Sequence, residues 1–176
     1  MKNEKNKIRL IAPSPEMKNR VMDYRAEFIA AKEETIFGSC GLHRYKRFEE
    51  WLHAARETAA GRPPEGRLPA TTFVAVRISD DLIVGTANIR HYLTESTLHS
   101  GHIGYAVRPA LRGKGYGAEI LRQALIKAEQ MGIIETIVSC KQQNLPSKRV
   151  IEKNGLLFER ACQEDEETVL VYRKPL

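Results

Sequence analysis

Aromatic residues are scarce, at 7% Phe, Trp and Tyr, and the 28 Lys and Arg residues never gather into a long block. Nucleic-acid binding needs a basic stripe or a platform of stacking rings, so the formal charge of +6 does not point to such a partner. Cys40, Cys140 and Cys162 lie far apart with no CxxC pair, which leaves neither a disulfide framework nor a metal site to read. No apolar run approaches the roughly 20 residues of a membrane span. Residues 1–7 are polar and the short apolar stretch after them is broken by Pro13 and Pro15, so no signal-peptide core is present. The cytoplasm is the expected location. What remains is a chain of 176 residues, 42% hydrophobic and 28% charged, expected to form one domain over 1–176 that buries its own core. Only the first few residues are expected to stay outside it.

Hydrophobic periodicity divides the chain into elements. Residues 8–12 form a short β-type run ended by proline. Ser14 stands at an N-cap position with Pro15 after it, and Met17, Val21, Tyr24, Phe28 and Ala31 recur at helical spacing before Gly38 and Gly41. A second amphipathic helix places Phe48, Trp51, Leu52, Ala55 and Ala59 on one face, and the Pro- and Gly-rich 61–69 segment is a loop. The period then shortens: 72–78 and 82–91 read as a hairpin around Ser79, Asp80 and Asp81, and 101–107 as a further strand that Pro109 stops. Leu121, Ala124, Leu125, Ala128 and Met131 define a strong helix over 117–131, closed by Gly132, and a strand over 133–140 follows. Strand, glycine turn, helix and strand in succession make a crossover unit between parallel neighbours. A short helix over 146–153 ends at Asn154 and Gly155, and strands at 156–159 and 168–173 flank the acidic 164–167 turn.

The crossover turn carries the chemistry. Gly113, Gly115 and Gly117 lie between a strand and the first turn of a helix whose leading N–H groups have no internal acceptor. Without Cβ atoms the backbone can adopt positive φ and approach an anion closely, and the helix dipole adds about half a positive charge. Arg108, Arg112, Lys114 and Arg122 surround the turn, opposed in local sequence only by Glu119. A diphosphate is the ligand this arrangement fits, although the same glycines could serve a plain tight turn with solvated cations. A Walker A loop is excluded, because Lys114 is followed by glycine and no glycine stands five residues before Gly113. The run from Gly113 to Ala118 matches the dinucleotide pattern GxGxxA. Too little chain follows it for a Rossmann domain, however, and no acid ends the next strand.

Read as Val-Arg-Pro-Ala-Leu-Arg-Gly-Lys-Gly-Tyr-Gly, residues 107–117 resemble the acyl-CoA-binding motif of the GNAT superfamily. The core of that motif, Gln/Arg-x-x-Gly-x-Gly/Ala, is met by Arg112, Gly115 and Gly117. Asn144 to Ser147 and Glu152 to Gly155 resemble the Asn-x-x-Ala/Ser and Lys-x-Gly segment of the same family, and the element order agrees over 8–173. The resemblance implies an α/β fold: a central mixed, twisted sheet of six or seven strands, flanked by helices on both faces and splayed between 101–107 and 134–140 to admit pantetheine. It implies acetyl-CoA as cosubstrate, and transfer of the acetyl group to a primary amine of a small molecule, protein or peptide by direct attack. The cosubstrate would be held by Tyr105, Ala106 and Val107, by Arg112, Gly113, Lys114, Gly115, Tyr116 and Gly117, and by Asn144 and Ser147. A homodimer is consistent with the family, and no metal is implied.

For the reaction the resemblance implies an oxyanion met by a backbone N–H within 105–107. A protonated amine needs a general base, for which His102 comes first and Glu95 and His99 follow. Many relatives place an acidic tyrosine seven residues after the asparagine; here that position is Ile151, so Tyr105, Tyr24 or an unassisted thiolate must substitute. Acceptor specificity is expected in the first two helices and the 61–69 loop, with Tyr24, Phe28, Tyr45, Phe48 and Trp51 as candidate wall residues, although helical spacing makes most of them core. The missing tyrosine would also suit a module that binds acyl-CoA as a sensor without turnover.

Overall fold

A computed structural model describes residues 7–175, and the expectation about the first few residues falls outside this range. β1 (Ile8–Ile11), β2 (Ala70–Arg77), β3 (Ile83–Arg90) and β4 (Ile103–Val107) pair antiparallel in that order. β5 (Ile137–Lys141), β6 (Leu157–Glu164) and β7 (Glu167–Arg173) form a second antiparallel sheet in the order β5-β7-β6. Successive residues of a strand point to opposite faces, so Val74 and Val76 of β2 pack with α1 (Lys18–Ala30) and α2 (Phe48–Ala59), while Ala75 packs on the other side. That other side is covered by α3 (Tyr116–Gln130), through Ile120, Leu121, Ala124 and Ala128, and by Ile151 of α4 (Leu145–Lys153). With both faces covered, β2 and β3 are buried along most of their length. Among the described residues no helix is long and apolar enough to cross a membrane.

Seven strands with helices on both faces match the expected α/β architecture, but they divide into two sheets at the crossover. β4 and β5 meet at one end, where the His102 N–H donates to Ile137 O at 2.7 Å and the Ile137 N–H donates to His102 Nδ1 at 3.0 Å. Gly101, at φ +70, makes this approach possible, because a Cβ there would lie 2.8 Å from Ile137 O. Beyond that point no ladder joins the two strands among the described residues.

Several boundaries shift for local reasons. Pro15–Met17 form a 3-10 turn ahead of α1, and the Ser14 side chain makes no cap bond. β5 starts four residues late because the Ile133 N–H donates back to Ala128 O across Gly132, which leaves Ile134 exposed. The acidic 164–167 segment is absorbed into a longer β6–β7 hairpin, with Asp165 at φ +53 in its turn. At the end of α4 the left-handed residue is Gly155, not Asn154.

Candidate active site

The strand that leaves its neighbour makes the site. Arg90 N–H donates to His102 O and Arg108 N–H to Val84 O, each at 2.8 Å. Because Asn88 opposes Gly104 and Thr86 opposes Ala106, antiparallel alternation directs the main-chain groups of Gly104 and Ala106 to β3. Those of Ile103, Tyr105 and Val107 consequently face the gap. An open edge of this kind binds an extended amide-bearing ligand as an added strand.

At the far end of β4, Gly113 (φ +75) and Gly115 (φ +87) take left-handed conformations, the second as N-cap of α3. A Cβ at either would meet nothing within 4 Å, so the outer surface of the turn is open where the helix presents its leading N–H groups. Gly117 does a different job. A Cβ there would lie 3.4 Å from Val150, 3.5 Å from Val107 and 3.9 Å from the Tyr105 ring, so its bare backbone lets α3 pack against β4 and α4.

Most of the cations around this turn are already engaged. Arg112 forks onto Glu33 at 2.7 and 2.8 Å, and Arg108 donates to Glu27 at 3.1 Å and to Ile83 O at 2.8 Å. Glu27 also accepts the Ala110 N–H at 2.8 Å, and Arg122 pairs with Glu119. Glu119 is therefore not the only opposing charge, because Glu27 and Glu33 reach the turn from the first helical segment and tether it there. Lys114 is exposed and makes no ion pair among the described residues. Tyr116 offers the turn its main chain alone: its ring is buried and its hydroxyl accepts from Arg77 Nη1 at 3.0 Å.

Across the gap, Asn144 Oδ1 accepts the Ser147 N–H at 3.1 Å and caps α4, and the Ser147 hydroxyl meets the Tyr105 hydroxyl at 2.9 Å. This bond ties β4 to the first turn of α4. Burial outweighs the Ser147 contact and pushes the Tyr105 pKa up to about 12, so the phenol keeps its proton at neutral pH. A cavity of about 790 Å³ opens beside the pair, lined by Gly104, Tyr105, Asn144 and Ser147, by the 35–44 connection, and by the β6–β7 turn. The connection crosses β4 closely: Gly38 has φ +65, and a Cβ there would lie 2.7 Å from the Tyr105 Cα.

The structure thus brings Tyr105, Asn144 and Ser147 to one cavity, but it does not bring His102 or Glu95 there. His102 is buried, and because its Nδ1 accepts the Ile137 N–H, the ring proton resides on Nε2 and no lone pair remains to receive another. Burial, and after it the charge of Arg90, lower its pKa and keep it neutral. Glu95 is exposed on the Glu95–Thr97 turn, away from the cavity lining. His99 Nε2 contacts Glu164 Oε1 at 3.0 Å, and Glu164 does line the cavity. Tyr24 is fully buried; its hydroxyl donates to Thr86, which donates to Phe37 O. Phe28, Phe48 and Trp51 are core, Tyr45 packs against them, and Ile151 is buried on the inner face of α4. The 61–69 loop, expected to bear on the acceptor, does line the cavity, through Gly66, Arg67 and Leu68. Periodicity gave no hint of the 35–44 connection or Arg90, which line it too; the close pair Gly38 and Gly41 marks the left-handed bends of that connection.

Two sheets that part at a stapled apex, with a glycine-capped helix at the end of the open strand, define an acyltransferase-type fold. Residues 47–157, well over half of the chain, match the family model described as Acetyltransferase (GNAT) domain, and the chain belongs to that family. It is similar to the uncharacterized N-acetyltransferase YnaD of Bacillus subtilis (strain 168), at 29% identity over 89 residues. That match spans 49% of this chain and 50% of YnaD, so the chain covers about half the length of this curated relative. A GNAT-family acetyltransferase from Bacillus anthracis superimposes with a TM-score of 0.68 at 17% identity, covering 95% of this chain and 93% of the other. The microcin C7 self-immunity acetyltransferase MccE, solved with acetyl-CoA and AMP, gives 0.70 at 13% identity, covering 98% and 94%. At these identities the superpositions establish the fold.

Proposed function

We propose that the protein is an acetyl-CoA-dependent N-acetyltransferase acting on a primary amine of a small molecule, protein or peptide. The observation that carries this reading is continuity. The Tyr105 ring lies 3.9 Å from the Cβ position of Gly117 at the glycine turn, and its hydroxyl meets Ser147 in the cavity. One extended ligand laid along the β4 edge therefore spans turn and cavity. Bound acetyl-CoA supplies the thioester that the acceptor amine attacks.

The residues present fit that cosubstrate. The N–H groups of Gly113, Lys114, Gly115, Tyr116 and Gly117 suit a diphosphate, with the Lys114 ammonium as the mobile cation. The main chains of Tyr105 and Val107 suit the pantetheine amides, whereas the main chain of Ala106 is turned to β3. The Asn144 carbonyl caps α4, which leaves its amide NH2 for the ligand. Arg112, held by Glu33, shapes the turn. Tyr105, protonated and paired with Ser147, hydrogen-bonds the departing thiolate. Full proton transfer from a phenol near 12 to a thiolate whose thiol has a pKa of about 8.5 is uphill, so stabilisation in place is the larger contribution. With the His102 lone pair occupied, the base role passes to the cavity carboxylates acting through water, and Glu164 beside His99 keeps one of the expected histidines in play. The three cysteines are free, in keeping with a cytoplasmic setting.

Calorimetry with acetyl-CoA, followed by release of coenzyme A thiol over a panel of primary amines, tests the reading. Binding together with amine-dependent thiol release is expected. Failure to bind acetyl-CoA refutes the proposal, and binding without turnover on any amine moves it to the sensor reading.

A further inference from the structure

Most arginines outside the cavity pair with a carboxylate, Arg62, Arg77, Arg108, Arg112, Arg122 and Arg173 among them. Arg44, Arg67 and Arg90 line the cavity, and among the described residues none of them makes an ion pair. Arg44 and Arg67 converge on the space left by Gly41: a Cβ there would lie 3.5 Å from both terminal nitrogens of Arg67 and 3.7 Å from Arg44 Cδ. Arg90 Nη1 donates to the carbonyls of Gly101 at 2.6 Å and Ser100 at 3.4 Å. Of the carboxylates in the lining, Glu167 pairs with Lys141 and Glu164 contacts His99, so neither pairs with these arginines.

Arg44 and Arg67 lie side by side without a counter-charge, and like charges so placed repel one another. His43, which also lines the cavity, registers them: burial first, then the charges of Arg44, Arg67 and Arg25, lower its pKa. Burial alone lowers that of Arg90. A planar guanidinium is the side chain best shaped for two-pronged recognition of a carboxylate or phosphoryl group. Asp165, on the side of the second sheet, lines the same cavity without an ion pair among the described residues. The lining therefore carries Arg44, Arg67 and Arg90 on one side and Glu164, Asp165 and Glu167, with Lys141, on the other.

We infer that the acceptor is a small amine that also carries an anionic group, a carboxylate or a phosphoryl, which docks on Arg44, Arg67 and Arg90 while its nitrogen points toward Tyr105. This rests on the acetyltransferase reading and narrows its substrate class. A polyamine, with no anion to offer, is disfavoured by the same charges.

The test uses matched pairs of amines, phosphoethanolamine against ethanolamine and 4-aminobutyrate against n-butylamine, with spermidine as the cationic comparator. At least one anion-bearing member should exceed its neutral partner in kcat/KM by about 10-fold or more, the scale of one charge-assisted hydrogen bond, and which pair responds separates phosphoryl from carboxylate. R44Q and R67Q, both at residues that are not fully buried, should shrink that ratio several-fold while acetyl-CoA affinity stays unchanged. Independently of turnover, inorganic phosphate or 4-aminobutyrate should raise the melting temperature of the acetyl-CoA complex in the parent protein and not in the R44Q/R67Q double variant. Neutral amines or spermidine equalling the anionic ones, or a stabilisation that survives in the double variant, overturns the inference. Loss of acetyl-CoA binding by the parent protein would instead refute the acetyltransferase reading itself.

Discussion

Replacing Gly115 by alanine and, separately, by aspartate isolates the anion site from the fold. Gly115 has φ +87, and its Cβ position meets nothing within 4 Å, so neither side chain collides with the protein. Both variants carry backbone strain, about 1–2 kcal/mol for alanine and less for aspartate, which tolerates this region better. They differ in charge. One carboxylate placed about 5 Å from one phosphate charge at an effective dielectric near 20 repels it by roughly 3 kcal/mol. That corresponds to about two orders of magnitude in affinity. Titration calorimetry with acetyl-CoA should show the aspartate variant binding about 100-fold more weakly than the alanine variant at low salt. The gap should narrow at high salt, because the turn is exposed and screened, and the two melting temperatures should agree within a few degrees. An aspartate variant that binds within about three-fold of the alanine variant, or a deficit that salt does not change, would show that no phosphate lies at this turn.

Other outcomes follow from the same geometry. His102→Ala should cost about 1–3 kcal/mol, the penalty of leaving the Ile137 N–H buried without an acceptor, and denaturant melts will measure it. His102→Asn, whose carbonyl can take that bond, should restore most of the loss and keep kcat within a few-fold, whereas a true general base would cost about 10²–10⁴. The folded-state pKa of His102 is depressed, so the stability it contributes is present above about pH 6.5 and lost as pH falls below it, where the unfolded chain takes the proton more readily. The wild-type minus His102→Asn difference should therefore slope only on that acid side, and a flat difference would argue against the neutral staple. Tyr105→Phe should lower kcat about 10- to 100-fold with a much smaller change in acetyl-CoA affinity, and an unchanged kcat would remove the phenol from the reaction. Gly38→Ala should destabilise far more than Gly61→Ala, since both have positive φ but only the first would press a methyl onto the β4 backbone; equal melting temperatures would contradict the close crossing.

Local signals made most of the fold legible. The period of α3, the proline that ends β4 and the glycine turn are short-range features, and each element they implied is present. What the sequence could not display is pairing between distant residues. Glu27 and Glu33 tie down Arg108 and Arg112 from roughly eighty residues away, so a ring of cations that looks free along the chain is mostly neutralised in space. His102 shows the same limitation from the other side. It stood next to the expected thioester strand, but a backbone N–H from Ile137 holds its lone pair. The arginines that line the cavity come from the 35–44 connection, the 61–69 loop and the end of β3, three places with no common period.

The gap between β4 and β5 is itself informative, because two strands fixed to each other at His102 and Ile137 would ordinarily continue as a ladder and satisfy both edges. Here the edge of β4 is left open, and the next tie across the gap is made by side chains, the Tyr105 and Ser147 hydroxyls, rather than by main chain. The width at that point is set by a tyrosine reaching from one sheet to the first turn of α4, whose own start is fixed by the Asn144 cap. Gly117 allows α3 to press against the same ring. A ligand strand placed in the gap would pair with the main chain of Tyr105, while Val107 O already accepts from Arg112 Nε at 3.3 Å. Under the proposed function the Tyr105 and Ser147 pair would stand beside the thioester. Spacing and chemistry can still be told apart: losing the Ser147 hydroxyl alone removes the bridge and leaves the phenol, so it should loosen cosubstrate binding more than it slows the reaction, the reverse of losing the phenol.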